Sequence, residues 1–175
     1  EIGRYYGRPL LTALARLDGI PVGVLANDPR QRGGAMDADA SQKMVRFIDL
    51  CDTFSLPVVN FVDNPGFEIG IEAERRGTIR HGVRALTAVY QATVPWCSIL
   101  MRRVFGVAGA GHGAHHRLNL RYAWPSAEWG SLPIEGGVEA AYRRQIEAAE
   151  DPDALRAELE AKLSSLRSPL LTAEA

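Results

Sequence analysis

Apolar positions along this chain recur with two periods, and the change from one to the other marks out the elements. Leu10–Asp18 and Ile20–Ala26 are strand-like runs joined at Asp18-Gly19, a favoured two-residue hairpin turn, so the sheet is expected to open with an antiparallel pair. After the polar loop Asn27–Gly34 the period lengthens. Over Asp39–Phe54 it sets Met44, Phe47, Ile48 and Cys51 on one helix face, with Gln42, Lys43, Arg46 and Asp49 turned outward. Pro57 separates that helix from Val58, Val59, Phe61 and Val62, a β-branched and aromatic run suited to a buried strand. The strand is expected to stop at Asp63-Asn64-Pro65-Gly66, where Pro65 fixes φ and Gly66 tolerates a positive one.

A second helix, Thr78–Ala92, carries Ile79, Val83, Leu86 and Tyr90 on a single face. Val94-Pro95 leads into another apolar run, Cys97–Met101, and then Arg102-Arg103 and the small-residue stretch Phe105–Gly113. Tyr122–Trp129 reads as short extended pieces broken by Pro125. Gly136-Gly137 precedes a helix over Val138–Ala149. Asp151-Pro152 caps a last one striped with Leu155, Leu159, Leu163 and Leu166, a pattern that packs against a neighbour. An opening hairpin followed by two helix-then-strand units makes the chain α/β, a single domain.

The chain has 175 residues, 46% of them hydrophobic and 23% charged, with a net charge of −1. No basic excess exists to neutralise phosphates, so no nucleic-acid partner is expected. No apolar run approaches the roughly 20 residues that cross a bilayer, so no membrane role is expected either. Cys51 and Cys97 lie far apart among apolar residues, which suits free thiols in a reducing compartment such as the cytoplasm. The sequence opens on Glu1-Ile2-Gly3 without Met and reads as a piece of a longer protein.

Conventional catalytic patterns are missing. Glycines 106, 109, 111 and 113 do not match G-x-G-x-x-G, and no Gly-Lys-Ser/Thr follows them. His112, His115 and His116 lack the Glu of H-E-x-x-H and a nearby carboxylate or thiolate, so no metal site is expected. G-x-S-x-G is absent. Cys51, on an apolar helix face, has nothing to depress its pKa. Two places remain, Pro65–Phe67 and Gly106–Gly109, where a strand ends in a turn rich in backbone N–H groups. Such groups hold an oxygen that gains negative charge during reaction. A reaction whose acid–base group comes from the substrate or cofactor fits this inventory.

Several separate stretches, in order, carry a family resemblance: V-D-N-P-G-F at Val62–Phe67, G-T-I-R-H-G at Gly77–Gly82, A-T-V-P at Ala92–Pro95, R-R-V-F-G at Arg102–Gly106 and Y-A-W-P-S-A-E at Tyr122–Glu128. Together they resemble the biotin-dependent acyl-CoA carboxyltransferases, the β-type subunits of propionyl-, acetyl- and methylcrotonyl-CoA carboxylases, and specifically their C-terminal half. The resemblance implies a crotonase-like ββα superhelix spanning 1–175, biotin delivered as carboxybiotin on a carrier domain, and an acyl-CoA substrate. It implies as partners an N-terminal carboxyltransferase half, further copies in a homo-oligomer, and biotin carboxylase and biotin carrier subunits.

By the same resemblance, the backbone amides of Val107 and Ala108 hold the biotin ureido oxygen, although relatives carry a second glycine where Val107 stands. Asp63, Pro65, Gly66, Phe67 and Gly106 line the cofactor cavity, and Ala110 lies near the acyl pocket, where its small size leaves room for more than an acetyl group. The implied chemistry is release of CO₂ from carboxybiotin, removal of the substrate's α-proton by the biotin oxyanion, and attack of the carbanion on CO₂. A biotin-dependent decarboxylase subunit shares these motifs, and a non-catalytic module of the same fold is the reading from another class. The 175 residues alone are expected to be inactive, because the CoA-binding half is absent.

Overall fold

The computed structural model describes residues 1–111, 117–131, 134, 136–165, 167, 169 and 170. The expected hairpin is present. β1 (Leu10–Leu17) pairs antiparallel with β2 (Ile20–Asn27), and Asp18 and Gly19 take φ of 48° and 80°, as a two-residue turn of that hand requires. β3 (Val58–Asn64) and β4 (Trp96–Phe105) then add in parallel. β5 (Asn119–Ala123) pairs with the first half of β4, and β6 (Glu128–Gly130) with its last three residues. The sheet order is β1-β2-β3-β4-β5 with β6 beside the end of β4.

β3 runs two residues beyond the apolar run, so Asp63 and Asn64 belong to the strand and not to the turn, and the ladder shifts register between Val62 and Asn64. Their side chains, described below, supply what the ladder loses there.

α1 (Ala38–Thr53) starts where Asp37 accepts a hydrogen bond from the Ala40 N–H at 2.7 Å. It buries Phe47, Ile48 and Cys51 against Leu10, Leu25, Val58 and Trp96 of the strands, together with Val89 and Ala92. Lys43, expected outside, is turned inward: its ammonium donates to the Leu10 carbonyl at 2.6 Å, and burial lowers its pKa. Burial pushes the Cys51 thiol up to about 11, so it is inert as expected.

α2 (Ile71–Arg75) is a short helix that no periodicity announced. α3 (Thr78–Gln91) forms where expected, but the face that packs is its small-residue one, Thr78, Gly82, Ala85, Ala88 and Val89. Ile79, Val83 and Tyr90 stand outward, each about half exposed. The reason is close approach: the Phe67 ring lies on Gly82, where an added Cβ would sit 2.4 Å from it.

α4 (Gly106–Ala110) follows β4 directly. α5 (Gly137–Glu147) and α6 (Pro152–Ser165) pack on each other, with Arg156 reaching Glu139 at 3.2 Å. Leu155, Leu159 and Leu163 are half-buried there, and Leu166 lies outside the described residues. No helix is long and apolar enough to cross a membrane among the described residues.

Candidate active site

β2, β3 and β4 run in the same direction, so their carboxyl ends share one edge of the sheet. Asn27 at the end of β2 ties this edge together. Its side-chain oxygen accepts from the Asp63 N–H and its amide group donates to the Gly34 carbonyl, both at 3.3 Å. Gly34, at φ 87°, lets the β2 loop come down on β3, since a Cβ there would lie 2.5 Å from the Asp63 carbonyl oxygen.

Asp63 is 8% exposed. Its carboxylate accepts from the Arg102 guanidinium at 2.9 and 3.2 Å and from the Arg103 N–H at 3.2 Å. Arg103 in turn donates to the Gly33 carbonyl at 2.5 Å. Asp63 therefore clamps β3, β4 and the β2 loop at the register shift. Asp63→Asn is expected to lower stability by about 1–2 kcal/mol, the smaller end reflecting a half-exposed Arg102. Urea denaturation checks it, and an unchanged midpoint would mean that the clamp carries no free energy.

The turn after β3 is tied the same way. The Asn64 side chain accepts from the Gly66 N–H at 3.0 Å, and the Gly66 carbonyl accepts from the Met36 N–H at 3.0 Å. Phe67 bridges to Met36, which leaves its ring on α3.

At the end of β4, Gly106 takes φ 62° and starts α4 at once. The β3 turn and the β4 turn are neighbours: a Cβ on Gly66 would lie 3.9 Å from the Phe105 carbonyl oxygen. α4 itself is pressed onto the strand it leaves, with Gly109 so close that a Cβ would fall 2.7 Å from the Val104 carbonyl carbon. The Val107 and Ala108 amides stand in the first turn, where a helix provides no acceptor. No other described carbonyl or side chain accepts from them. The Val107 side chain is 66% exposed, so its branched carbons lie away from the packed side of α4.

Two cavities flank α4. The larger, about 470 Å³, is lined by Leu100, Val104, Gly106, Ala110, Trp129 and Gly130. The smaller, about 30 Å³, has room for a water and is lined by Asn27, Asn60, Asn64, Phe67 and Ala108 among others. The expected site residues are thus divided. Gly106 and Ala110 share the larger cavity, Phe67 and Ala108 the smaller, while Asp63, Pro65, Gly66 and Val107 line neither. Trp129 and Asn27 were missed: one sat in a motif read only as extended pieces, the other in a loop read only as polar. His112, His115 and His116 lie outside the described residues. Among the described residues no group of three or more His, Cys, Asp and Glu side chains could hold a metal.

A strand running into an amide-rich turn beside a mixed sheet is shared by many enzymes, and comparison decides among them. The sequence profile of the carboxyl transferase domain matches residues 1–175. The chain belongs to the carboxyl transferase domain family. It is 42% identical over 155 residues to the carboxyltransferase subunit of propionyl-CoA carboxylase from Haloferax mediterranei, covering 88% of this chain and 30% of that one. It is 38% identical over 179 residues to the methylmalonyl-CoA carboxyltransferase 12S subunit of Propionibacterium freudenreichii subsp. shermanii, covering 99% of this chain and 33% of the relative. The solved transcarboxylase 12S structure, a hexamer with methylmalonyl-coenzyme A bound, superposes with a TM-score of 0.82 at 38% identity over 98% of this chain and 33% of that one. The β subunit of geranyl-CoA carboxylase from P. aeruginosa, with a TM-score of 0.85 at 22% identity over 96% of this chain and 32% of that one, shares the fold. The fold of this carboxyl transferase domain is therefore crotonase-like, as the motifs led us to expect. The domain spans about a third of the length of these relatives.

Proposed function

We propose that this carboxyl transferase domain is the C-terminal, carboxybiotin-receiving half of a biotin-dependent acyl-CoA carboxyltransferase that works in the cytoplasm. The observation that carries the reading is the pair of amides at Val107 and Ala108, which meet no acceptor among the described residues, in a turn that also gives Gly106 and Ala110 to a 470 Å³ cavity. The turn fits biotin: N–H donors in the first turn of α4 suit a ureido oxygen, and the apolar cavity beside Gly106 and Ala110 leaves room next to them for an apolar group. When bound, carboxybiotin supplies both the CO₂ and the base that takes the α-proton. The chain's own part is electrostatic and positional. The amides meet the charge that develops on the ureido oxygen, Gly106 admits the ring to the backbone, and the Asp63–Arg103 clamp keeps the β3 turn and α4 in register.

The substrate is a CoA thioester, as in the methylmalonyl-CoA carboxyltransferase it is similar to. Completion of the site requires an N-terminal carboxyltransferase half, a homo-oligomer, and biotin carboxylase and biotin carrier partners. The reverse transfer, in a decarboxylase, uses the same groups.

Carboxyl exchange from malonyl- and methylmalonyl-type thioesters to free biotin, measured on the complete enzyme containing this domain, tests the proposal. Exchange is expected there and none from the 175 residues alone. Ala110→Leu is expected to disfavour the methylmalonyl over the malonyl thioester by about 10-fold or more, since it fills the cavity by a few methylene equivalents. No exchange with any thioester would refute the function, and an unchanged preference would remove Ala110 from the acyl pocket.

A further inference from the structure

Asn60 interrupts the apolar run of β3 between Val58 and Val62. Alternation along the strand sets it on the face of Val58, in the core packed by α1 and α3, and it is 5% exposed. Among the described residues no group donates to its carboxamide or accepts from it. Its neighbour on β4, Ser98, is engaged by the Trp96 indole. Asn60 instead lines the smaller cavity, about 30 Å³, together with Asn64. Asn64 is buried too, and its side-chain oxygen is taken by the Gly66 N–H at 3.0 Å. Its amide hydrogens meet no acceptor among the described residues. Every other residue of the wall is uncharged, Phe67 of the β3 turn and Ala108 of α4 among them. Buried carboxamides left without partners are costly, so this cavity calls for an occupant.

We propose that this cavity is a binding site for one ordered water, and that through it Asn60 is a positioning residue for the two amide-rich turns. The second half of the inference rests on the reading of Val107 and Ala108 as donors to biotin. Three properties select the occupant. The volume is enough for a water and too small for a biotin ring or a thioester. The wall carries no charge, so nothing there balances an ion. Asn64 offers a donor, and Asn60 both a donor and an acceptor, so the occupant must accept and donate, as water does. Two protein partners are within the ordinary range for a buried water. Its place gives it an effect on the site. The cavity lies between Asn64 and Phe67 on the side of the β3 turn and Ala108 on the side of α4. A water there is a spacer that sets the separation of the two turns, because a close-packed interior tolerates no gap beside Ala108. Asn64 joins the spacer to the β3 turn directly, since the same side chain holds the Gly66 N–H.

A high-resolution crystal structure of the complete enzyme containing this domain tests the water site. The expected result is one water about 2.7–3.2 Å from a carboxamide atom of Asn60 and from the Asn64 nitrogen. Asn60→Leu, close to asparagine in volume, is expected to lose that water without lowering the urea midpoint. It is also expected to lower kcat for carboxyl exchange to free biotin about 10-fold at unchanged thioester KM, since the water spaces the biotin donors and does not touch the thioester. Asn60→Ser keeps a hydroxyl for the water and is expected to recover most of the rate. A dry cavity, a side chain bonded to Asn60 in place of water, or a water that persists in Asn60→Leu would overturn the site. An unchanged kcat in Asn60→Leu, or an equal loss in both variants, would overturn the positioning role. An unsubstituted enzyme that exchanges no thioester, with the water in place, would sink the functional reading and the positioning role while the water site stands.

Discussion

Val107→Pro is expected to lower carboxyl transfer by the complete enzyme about 10²- to 10³-fold in kcat, the cost of removing one oxyanion donor. Proline has no N–H, and its fixed φ is tolerated in the first turn of a helix, so the substitution deletes a donor and leaves the path of the chain alone. The Val107 side chain is 66% exposed, and no contact of consequence is lost with it. Val107→Ala keeps the N–H and is expected to stay near the parent rate. Val107→Gly is expected to match or exceed it, because glycine keeps the N–H and removes the branched side chain beside it. Equal losses in the alanine and proline variants would assign the effect to the side chain and remove the amide from the chemistry.

The largest expected loss of stability is at Trp96. It is 1% exposed, its indole N–H donates to Ser98 Oγ at 3.1 Å, and the Arg117 guanidinium lies 4.9 Å from its ring. Arg117 in turn donates to the carbonyls of Val89 and Ala92 at 2.6 and 2.5 Å, closing the end of α3. Trp96→Ala removes the core's largest side chain and the ring on which a half-buried cation rests. A cost of about 4 kcal/mol is expected in urea denaturation. Trp96→Phe should recover roughly half. A loss under about 1 kcal/mol would mean that the strand–helix junction closes around the vacancy.

The elements were legible where one force decided them. The Asp18-Gly19 hairpin, the helix expected over Asp39–Phe54 and the strand opening at Val58 follow from turn chemistry and apolar period. Periodicity failed where tertiary packing chose between two usable faces. On α3 the apolar stripe of Ile79, Val83 and Tyr90 lost to Gly82 and Ala85, since only small residues admit Phe67. Lys43 was misplaced for a related reason: a long side chain reached inward to a single carbonyl, which no pattern encodes.

The two amide-rich turns were legible as turns, and the structure makes them neighbours. The division of their residues between two cavities was not legible, because it depends on the Asp63 clamp and on the Phe67 ring turning to α3. Trp129 lines the larger cavity from β6, a strand of three residues that carries too little pattern to be placed in advance.

The central claim is that main-chain donors, and not an ionisable side chain, hold the ureido oxygen of biotin. A crystal structure of the complete enzyme with biotin bound tests it most directly. The account predicts that oxygen about 2.7–3.1 Å from the nitrogens of Val107 and Ala108. Biotin seated with its oxygen beyond hydrogen-bond reach of both nitrogens, or held there by a guanidinium instead, would contradict it.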